Sequence, residues 1–570
     1  MFRNKTSTFL IAFLIAAVFC IPFYLTSVFK GLDLTFHLSR IDGILSCTKD
    51  LQFPFAIYAE KNYGFGYACP LFYCDLFLFP AAVLYAMNIP LVIVYKIYVF
   101  LIVWIGAAAS LNAMHYFTKR DALVLFGALV FTFSSYHIND FFIRAALGEA
   151  MAFSLMPMFP VVAYRFFVEE KNNTLELVTF FTALALSHLI TFTMASVVFA
   201  LLMIRYVKTL FRNRHLLCFL KAVFIGFCLS AFFLLPMVQQ LRSQKFLFMQ
   251  NRELFGETIM RDYSNTPLSA LSDYVLLRGY DLEAHHYFTG LVIVITPLLF
   301  LFVRKVNAKK HGFFALLTVI SVLLLVCTTD VVPLYKISFL QSIQFTYRFN
   351  ILIASFLPFV LVYALDHFKR KTANVLMALF LIYTAANTAV IDRWLIRNKD
   401  QVENFASRSQ LFTGEFYENY NNWYNIAELS SGEYLPATHE MNYKENQGSV
   451  YLFETTSPSV AYTRTGTDSV LHLDSSADGY AAIPVTWYLG YEAELEENGS
   501  YRSIPITQEE YTGVIVIPIY SGSHTYRIRY VGTRIQKYSL LVSFVSLLIL
   551  GGYLLIKKAR ETNTGKAVIE

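Results

Sequence analysis

A chain of 570 residues that is 56% hydrophobic and 15% charged carries more apolar surface than a soluble core can bury, which excludes an ordinary water-soluble enzyme and reads as a polytopic membrane protein. The net charge of +6 is spread over short basic clusters rather than gathered in a block, which excludes a nucleic-acid-binding surface. An aromatic share of 17%, with 37 Tyr beside 54 Phe, exceeds what lipid-facing helices need and points to wet cavities and a folded part outside the bilayer.

The chain opens with MFRNKTSTF and an apolar run to Phe29 that lacks a small-residue cleavage site, so it reads as an uncleaved first span. Basic clusters recur at Arg3–Lys5, Lys119–Arg120, Arg165–Lys171, Arg205–Lys221, Arg304–Lys310, Lys369–Lys371 and Lys557–Arg560. Placing all of them in the cytoplasm predicts spans at 8–29, 91–113, 121–137, 150–167, 174–187, 189–206, 218–236, 288–303, 312–328, 350–366, 374–391 and 538–556, with both termini cytoplasmic. The apolar run Leu71–Met87 breaks this parity. It is short, holds Asp75 and Pro80, and reads as an interfacial or re-entrant helix in a first outer loop of 30–90.

Read as a helix from Asp33, the stretch GLDLTFHLSRIDGI sets Asp33, His37 and Arg40 at i, i+4 and i+7 on one face, beside an apolar face of Leu34, Leu38, Ile41 and Leu45. Such a helix suits the membrane–water interface with its polar stripe turned to a cavity. Asp33 also fits a plain N-cap, and the two roles are compatible. A neighbouring cation is expected to keep it ionised at neutral pH. Further on, SSYHINDFFIRAALGE puts Arg144 and Glu149 five apart where a helix re-enters the bilayer. Ionisable groups there are costly unless paired or solvated, so both are expected to face the cavity of Asp33. The alternatives are a snorkelling Arg144 and a Glu149 that favours the helix dipole.

The segments 174–187 and 189–206 meet at Ser187–His188, a turn within membrane depth of the kind tolerated beside a wet cavity. In the loop 237–287, His285 and His286 with Asp281 and Glu283 make only a loose metal-ligand pattern and read as solvated. In the loop 329–349, Gln344, Tyr347 and Arg348 stand just before a span, where an Arg reaches an anionic headgroup or phosphate. There is no CxxC pair, and a Cys69–Cys74 bridge has only their closeness in its favour.

After Ile391 the composition turns polar and Tyr-rich. Residues 392–537 read as an extracytoplasmic domain, with 401–448 helical or irregular. From Ser449 the runs SVYLFE, SVAYTR, VLHLD, AAIPVTWY, YEAEL, GVIVIPIY and TYRIRYV alternate apolar and polar residues and predict an antiparallel β-sandwich. The fold class expected is a polytopic α-helical domain over 1–391 with about twelve spans, this β-rich domain, and a last span and cytoplasmic tail over 538–570.

No GxxxxGK[ST], no GxGxxG between a strand and a helix, no GxSxG and no HExxH occurs, and no cytoplasmic loop is large enough for a nucleotide domain. The concentrated polar chemistry, Asp33, His37, Arg40, Asp75, Arg144, Glu149, His188 and Arg348, is assigned to the outer side. A cavity with carboxylates and several cations suits an anionic, membrane-resident substrate such as a polyprenyl-phosphate-linked sugar. The carboxylate would deprotonate an acceptor hydroxyl or hold a divalent cation, while Arg and His neutralise the departing phosphate.

Several stretches carry a resemblance that runs in order over nearly the whole chain: GLDLTFHLSRIDGI, FPFAIYAEKNYGFGYACPLFY, IRAALGEAMAF, SHLITF, IQFTYRF, GEYLP at 432–436, and IPVTWYLGYEAEL with GVIVIPIYSGSHTYRIRY. Together with an acidic residue just after the first span, they resemble the GT-C glycosyltransferase superfamily and, more narrowly, the bacterial YfhO-like membrane proteins. The resemblance implies sugar transfer from a polyprenyl-phosphate donor to a cell-envelope glycan or polymer at the outer face of the cytoplasmic membrane. Asp33 would be the catalytic base or metal ligand, and His37, Arg40, Arg144, Glu149, His188 and Arg348 would bind substrate. A second hypothesis is a non-enzymatic transporter or flippase of a lipid-linked glycan or polymer precursor. It should show paired charges deep in several spans and repeated halves, whereas here the charges cluster at outer ends and no repeat is visible. A third is an idle scaffold that binds envelope glycans through its outer domain.

Overall fold

The computed structural model describes residues 5–25, 28–29, 31–212, 214–267, 289–304, 307–397, 402–403, 432–437, 446–497 and 499–566. It is a mostly helical membrane protein with a C-terminal β-sheet region. Two compact units divide the chain, one holding 1–39, 83–220 and 251–427, the other 40–82, 221–250 and 428–570.

In the first unit, Leu91–Phe117, Ala308–Cys327, Thr346–Asp366 and Arg370–Arg397 are each long and apolar enough to cross a membrane. Thr346–Asp366 is almost wholly enclosed by protein, the central post of the unit. His215–Ser243 and Arg534–Lys558 bring the number among the described residues to six, or eight if each of two bent pairs is one span. The bent pairs correct two predicted continuous spans. Asp121–Thr132 turns by 46° into Ser135–Phe142, and Leu147–Leu155 turns by 42° into Met158–Phe167. The second bend falls at Pro157, whose ring and missing N–H interrupt helical bonding.

Among the described residues five further apolar helices are shorter: Lys5–Phe19, Leu76–Ala86, Thr174–Ser187, Leu189–Arg205 and Leu291–Phe300. The predicted first span 8–29 is likewise interrupted, its helix ending at Phe19 and a second turn running Ile21–Leu25 with Pro22 inside. His188 alone, in extended conformation, joins Thr174–Ser187 to Leu189–Arg205. Leu76–Ala86 falls where the parity argument denies a crossing, and at 1.5 Å per residue it is far short of a bilayer core of roughly 30 Å. We expect a Cys placed at Asn88 to react with an impermeant thiol reagent from outside, and one at Lys119 to react only once the membrane is permeabilised. Labelling of Asn88 from the cytoplasmic side alone would require the 76–86 segment to cross.

The second unit is built on a sandwich. One sheet orders its strands Tyr451–Phe453, Gly479–Thr486, Val514–Ile519, Thr507–Gln508; the other orders Val460–Thr465, Asp468–Ser475, Gly522–Tyr530, Tyr491–Glu497, Ser500–Ile504, and every pairing is antiparallel. In Asp468–Ser475 the side chains of Leu471 and Leu473 point inward, while His472 and Asp474 face water, the period of two that marks a half-buried strand. The same core takes in Ile57, Leu71, Phe72 and Phe246, which is why the first-loop segment and the end of the His215–Ser243 helix belong to this unit. Hydrogen bonds reinforce the junction: Thr486 N–H donates to Phe65 C=O at 2.8 Å, and the Arg464 guanidinium donates to Gly64 C=O.

All seven cysteines are free thiols, so Cys69 and Cys74 form no bridge. His285 and His286, with Asp281 and Glu283, lie outside the described residues. Of 401–448, the described part is Val402–Glu403, paired antiparallel with Val28–Phe29, together with 432–437 and 446–448.

Candidate functional site

Gly31 begins the site because a side chain there has no room. A Cβ at Gly31 would stand 2.5 Å from the Cβ of Ala145, so only glycine lets the 31–33 backbone lie on 143–145. That approach is closed by two backbone bonds, Leu32 N–H to Ile143 C=O at 3.3 Å and Asp33 N–H to Arg144 C=O at 2.8 Å. Ala145 itself is held at φ +52°, a left-handed conformation that costs a non-glycine residue energy and commonly marks a functional turn. Asp33 is thereby placed at the start of the Leu34–Lys49 helix and against the turn that carries Arg144.

Arg144 is the hub of a buried ion cluster. Its Nη1 donates to Asp140 Oδ1 at 2.8 Å, to Glu149 Oε1 at 2.8 Å and to the Tyr136 hydroxyl at 3.3 Å. Tyr136 in turn donates to Glu149 Oε1 at 2.7 Å. Glu149 Oε2 accepts from Arg348 Nε at 3.0 Å, so a single carboxylate joins two guanidinia. Arg348 Nη1 donates to Ile343 C=O at 2.8 Å and to Gln344 Oε1 at 2.6 Å, with Gln344 held at φ +66°. Rings back both cations, Tyr347 at 5.2 Å from Arg144 and Phe345 at 5.0 Å from Arg348. Arg144 and Glu149 are both almost fully buried, which rules out snorkelling and a solvated first-turn role. His188 is buried, bonds through Nδ1 to the Thr191 hydroxyl at 2.9 Å, and stands within electrostatic reach of Glu149.

Asp33 differs from every other acid of this group. Glu149 and Asp140 are ion-paired, whereas the half-buried Asp33 carboxylate makes no hydrogen bond or ion pair among the described residues. It caps no N–H of its own helix, so the N-cap alternative falls away. Burial pushes its pKa up, Arg144 and Arg348 pull it down, and Glu149 pushes it up again; the result lies above the ordinary 3.8. The cations expected beside this carboxyl are there, and burial outweighs their pull on its pKa. Among the described residues Nη2 of Arg144 and Nη2 of Arg348 make no hydrogen bond, so each guanidinium keeps a donor for a ligand.

The other two residues of the predicted stripe behave differently. His37 is buried one turn on from Asp33, against the Phe36 ring. Arg40 belongs to the second unit, where it is committed to Asp75: Nε and Nη2 both donate to Oδ1, at 2.9 and 2.7 Å, Nη2 also reaches Cys74 C=O at 3.0 Å, and the Tyr73 ring covers the cation at 3.9 Å. The Tyr58 hydroxyl takes the other oxygen of Asp75. Asp140 and Tyr136 were not singled out from the sequence, although the i, i+4 spacing of Asp140 and Arg144 is a pairing signal. Among the described residues no three His, Cys, Asp or Glu side chains gather as a metal-ligand set.

A family model described as a 6-pyruvoyl-tetrahydropterin synthase related domain, membrane protein, matches residues 71–395, more than half of the chain. The matched stretch contains the Tyr136, Asp140, Arg144, Glu149 and Arg348 cluster and ends before the β-sandwich. No curated protein matches the chain.

Proposed function

We propose that this chain, which belongs to the 6-pyruvoyl-tetrahydropterin synthase related family of membrane proteins, transfers a sugar from a polyprenyl-phosphate-linked donor to a cell-envelope acceptor at the outer face of the cytoplasmic membrane. The observation that carries this reading is the Asp33 carboxylate, which has no hydrogen-bond or ion-pair partner among the described residues and stands near two guanidinia whose Nη2 groups make no hydrogen bond there. Asp33 removes the proton of an acceptor hydroxyl as its oxygen attacks the anomeric carbon. The bond from that carbon to the phosphate oxygen breaks, and the phosphate leaves with the electron pair. Arg144 and Arg348 stabilise the charge that develops on it, Glu149 and Asp140 hold those guanidinia in place, and His37 and His188 shape the pocket. Arg40, engaged by Asp75, is assigned to the framework rather than to substrate.

This reading retains the resemblance to GT-C and YfhO-like proteins, twelve crossings, cytoplasmic termini and an outer sandwich. One observation favours the flippase alternative: Arg144 lies between two bent helix pairs, and interrupted helices are the usual makers of transporter binding sites. Proteoliposomes holding the purified chain, a polyprenyl-phosphate sugar and an envelope glycan separate the two. The transferase reading expects glycan product, with a rate that depends on deprotonated Asp33. Because burial raises that pKa, the rate should begin to fall at a higher pH than an ordinary Asp, near 3.8, would give, and should recover as pH rises again. Donor crossing the bilayer without any product would decide for the flippase.

A further inference from the structure

The root of the last long helix holds a groove of mixed character, formed wholly within the second unit. Strand Gly522–Tyr530 leads into this helix through Gly532, whose φ of +68° makes the turn. Beside the turn lies a cavity of about 220 Å³, lined by Leu51, Phe53, Val531, Gln536, Lys537 and Leu540 among others. A second, more apolar recess shares Phe53, Pro54 and Gln536 with it and continues along Phe55, Phe232 and Phe233.

Polar and apolar side chains line the two recesses together. Gln536 is only 6% exposed, and its Oε1 accepts from the Tyr530 hydroxyl at 3.0 Å. Its carboxamide N–H groups have no acceptor among the described residues, although the side chain lines both recesses. Lys537, exposed on the next position, makes no ion pair among the described residues. The Gln536 carboxamide and the Lys537 ammonium are therefore two sets of N–H donors with no acidic partner among the described residues, and Asp75, a carboxylate in the lining of the second recess, is taken by Arg40 and Tyr58. In the same lining Leu51 is 91% exposed and Phe53 70% exposed, and the helices His215–Ser243 and Arg534–Lys558 carry bare apolar side chains such as Phe224, Leu541 and Phe544. Large apolar side chains so placed belong against lipid rather than water.

We infer that this groove binds an anionic phospholipid, its phosphate held by Lys537 and the Gln536 carboxamide and one acyl chain lying along Phe53, Phe55, Phe232 and Phe233. The charge of the site, the apolar continuation and the position at the first turn of a spanning helix all match that one occupant. The groove shares no residue with the Asp33, Arg144 and Glu149 cluster, so it stands whether or not the chain transfers sugar.

The test is native mass spectrometry of the full-length chain, delipidated in detergent and titrated with phosphatidylglycerol, phosphatidylcholine or inorganic phosphate. Phosphatidylglycerol should be retained about fivefold better than phosphatidylcholine, the effect of one interfacial lysine. Lys537→Gln should abolish that preference, Lys537→Arg should keep it, and Phe53→Asn should lower retention of both lipids. Equal retention of the two lipids by the unaltered chain would overturn the inference, as would an undiminished preference in Lys537→Gln. Displacement of the lipid by inorganic phosphate at equal concentration would show a phosphate site without a chain site, and would overturn it too. Lys537→Arg serves as the folding control, because a general collapse would take its preference as well.

Discussion

Asp33→Asn should lower sugar transfer by about two orders of magnitude or more, with the amount of folded protein unchanged. The substitution keeps size and planarity and removes only the ability to accept a proton. The geometry makes the comparison cleaner still, because the carboxylate accepts no hydrogen bond among the described residues and is paired with no cation there, so no structural bond is lost. Asp33→Glu should recover part of the rate, displaced by one methylene from the acceptor. Near-normal transfer by Asp33→Asn would remove the proposed base, and the function would then rest on resemblance alone.

Periodicity made the sandwich legible. Seven of its nine strands fall on the runs SVYLFE to TYRIRYV, because a strand packed on one face writes its burial into alternate residues. Ser500–Ile504 escaped because its first four residues face water and leave no alternation to read, and Thr507–Gln508 is only two residues long. Hydropathy found the apolar helices but not their breaks. Pro157 and Pro22 stand in plain view, yet a sum over a window is blind to where one missing N–H ends a helix.

For the site, face logic alone was misleading. Asp33 and Arg40 do share a stripe, but the Arg40 guanidinium finds its acid 35 residues on, in a stretch read as apolar. Glu149 meets Arg348 across 199 residues, and no local pattern in one sequence can announce such a pairing. What was readable was cost: an Arg and a Glu at the mouth of a span had to be paired or solvated, and they are paired.

That pairing sets the largest stability effect to be expected. Glu149→Gln should destabilise the chain by about 3–5 kcal/mol, the usual loss when one member of a buried ion pair is neutralised and its partner is left behind. Here two partners are left. Glu149 is bonded to Arg144 through Oε1 and to Arg348 through Oε2, and the three side chains are each under a tenth exposed. Asp140 remains for Arg144 alone, so among the described residues Arg348 would keep as hydrogen-bond acceptors the Ile343 carbonyl and the Gln344 amide oxygen. Because Glu149 and Arg348 lie on helices that meet only through tertiary packing, the loss should appear as a lower unfolding midpoint in detergent rather than as local fraying. Adding Arg348→Met to Glu149→Gln should restore part of the stability, since it removes the stranded charge; the double variant should lose less than the two single variants together. An unshifted midpoint in Glu149→Gln would mean that the cluster is not a clamp. If that variant kept its midpoint and still lost transfer, Glu149 would have to act on the substrate itself, and the division of labour between Asp33 and the Arg144–Glu149–Arg348 cluster would have to be redrawn.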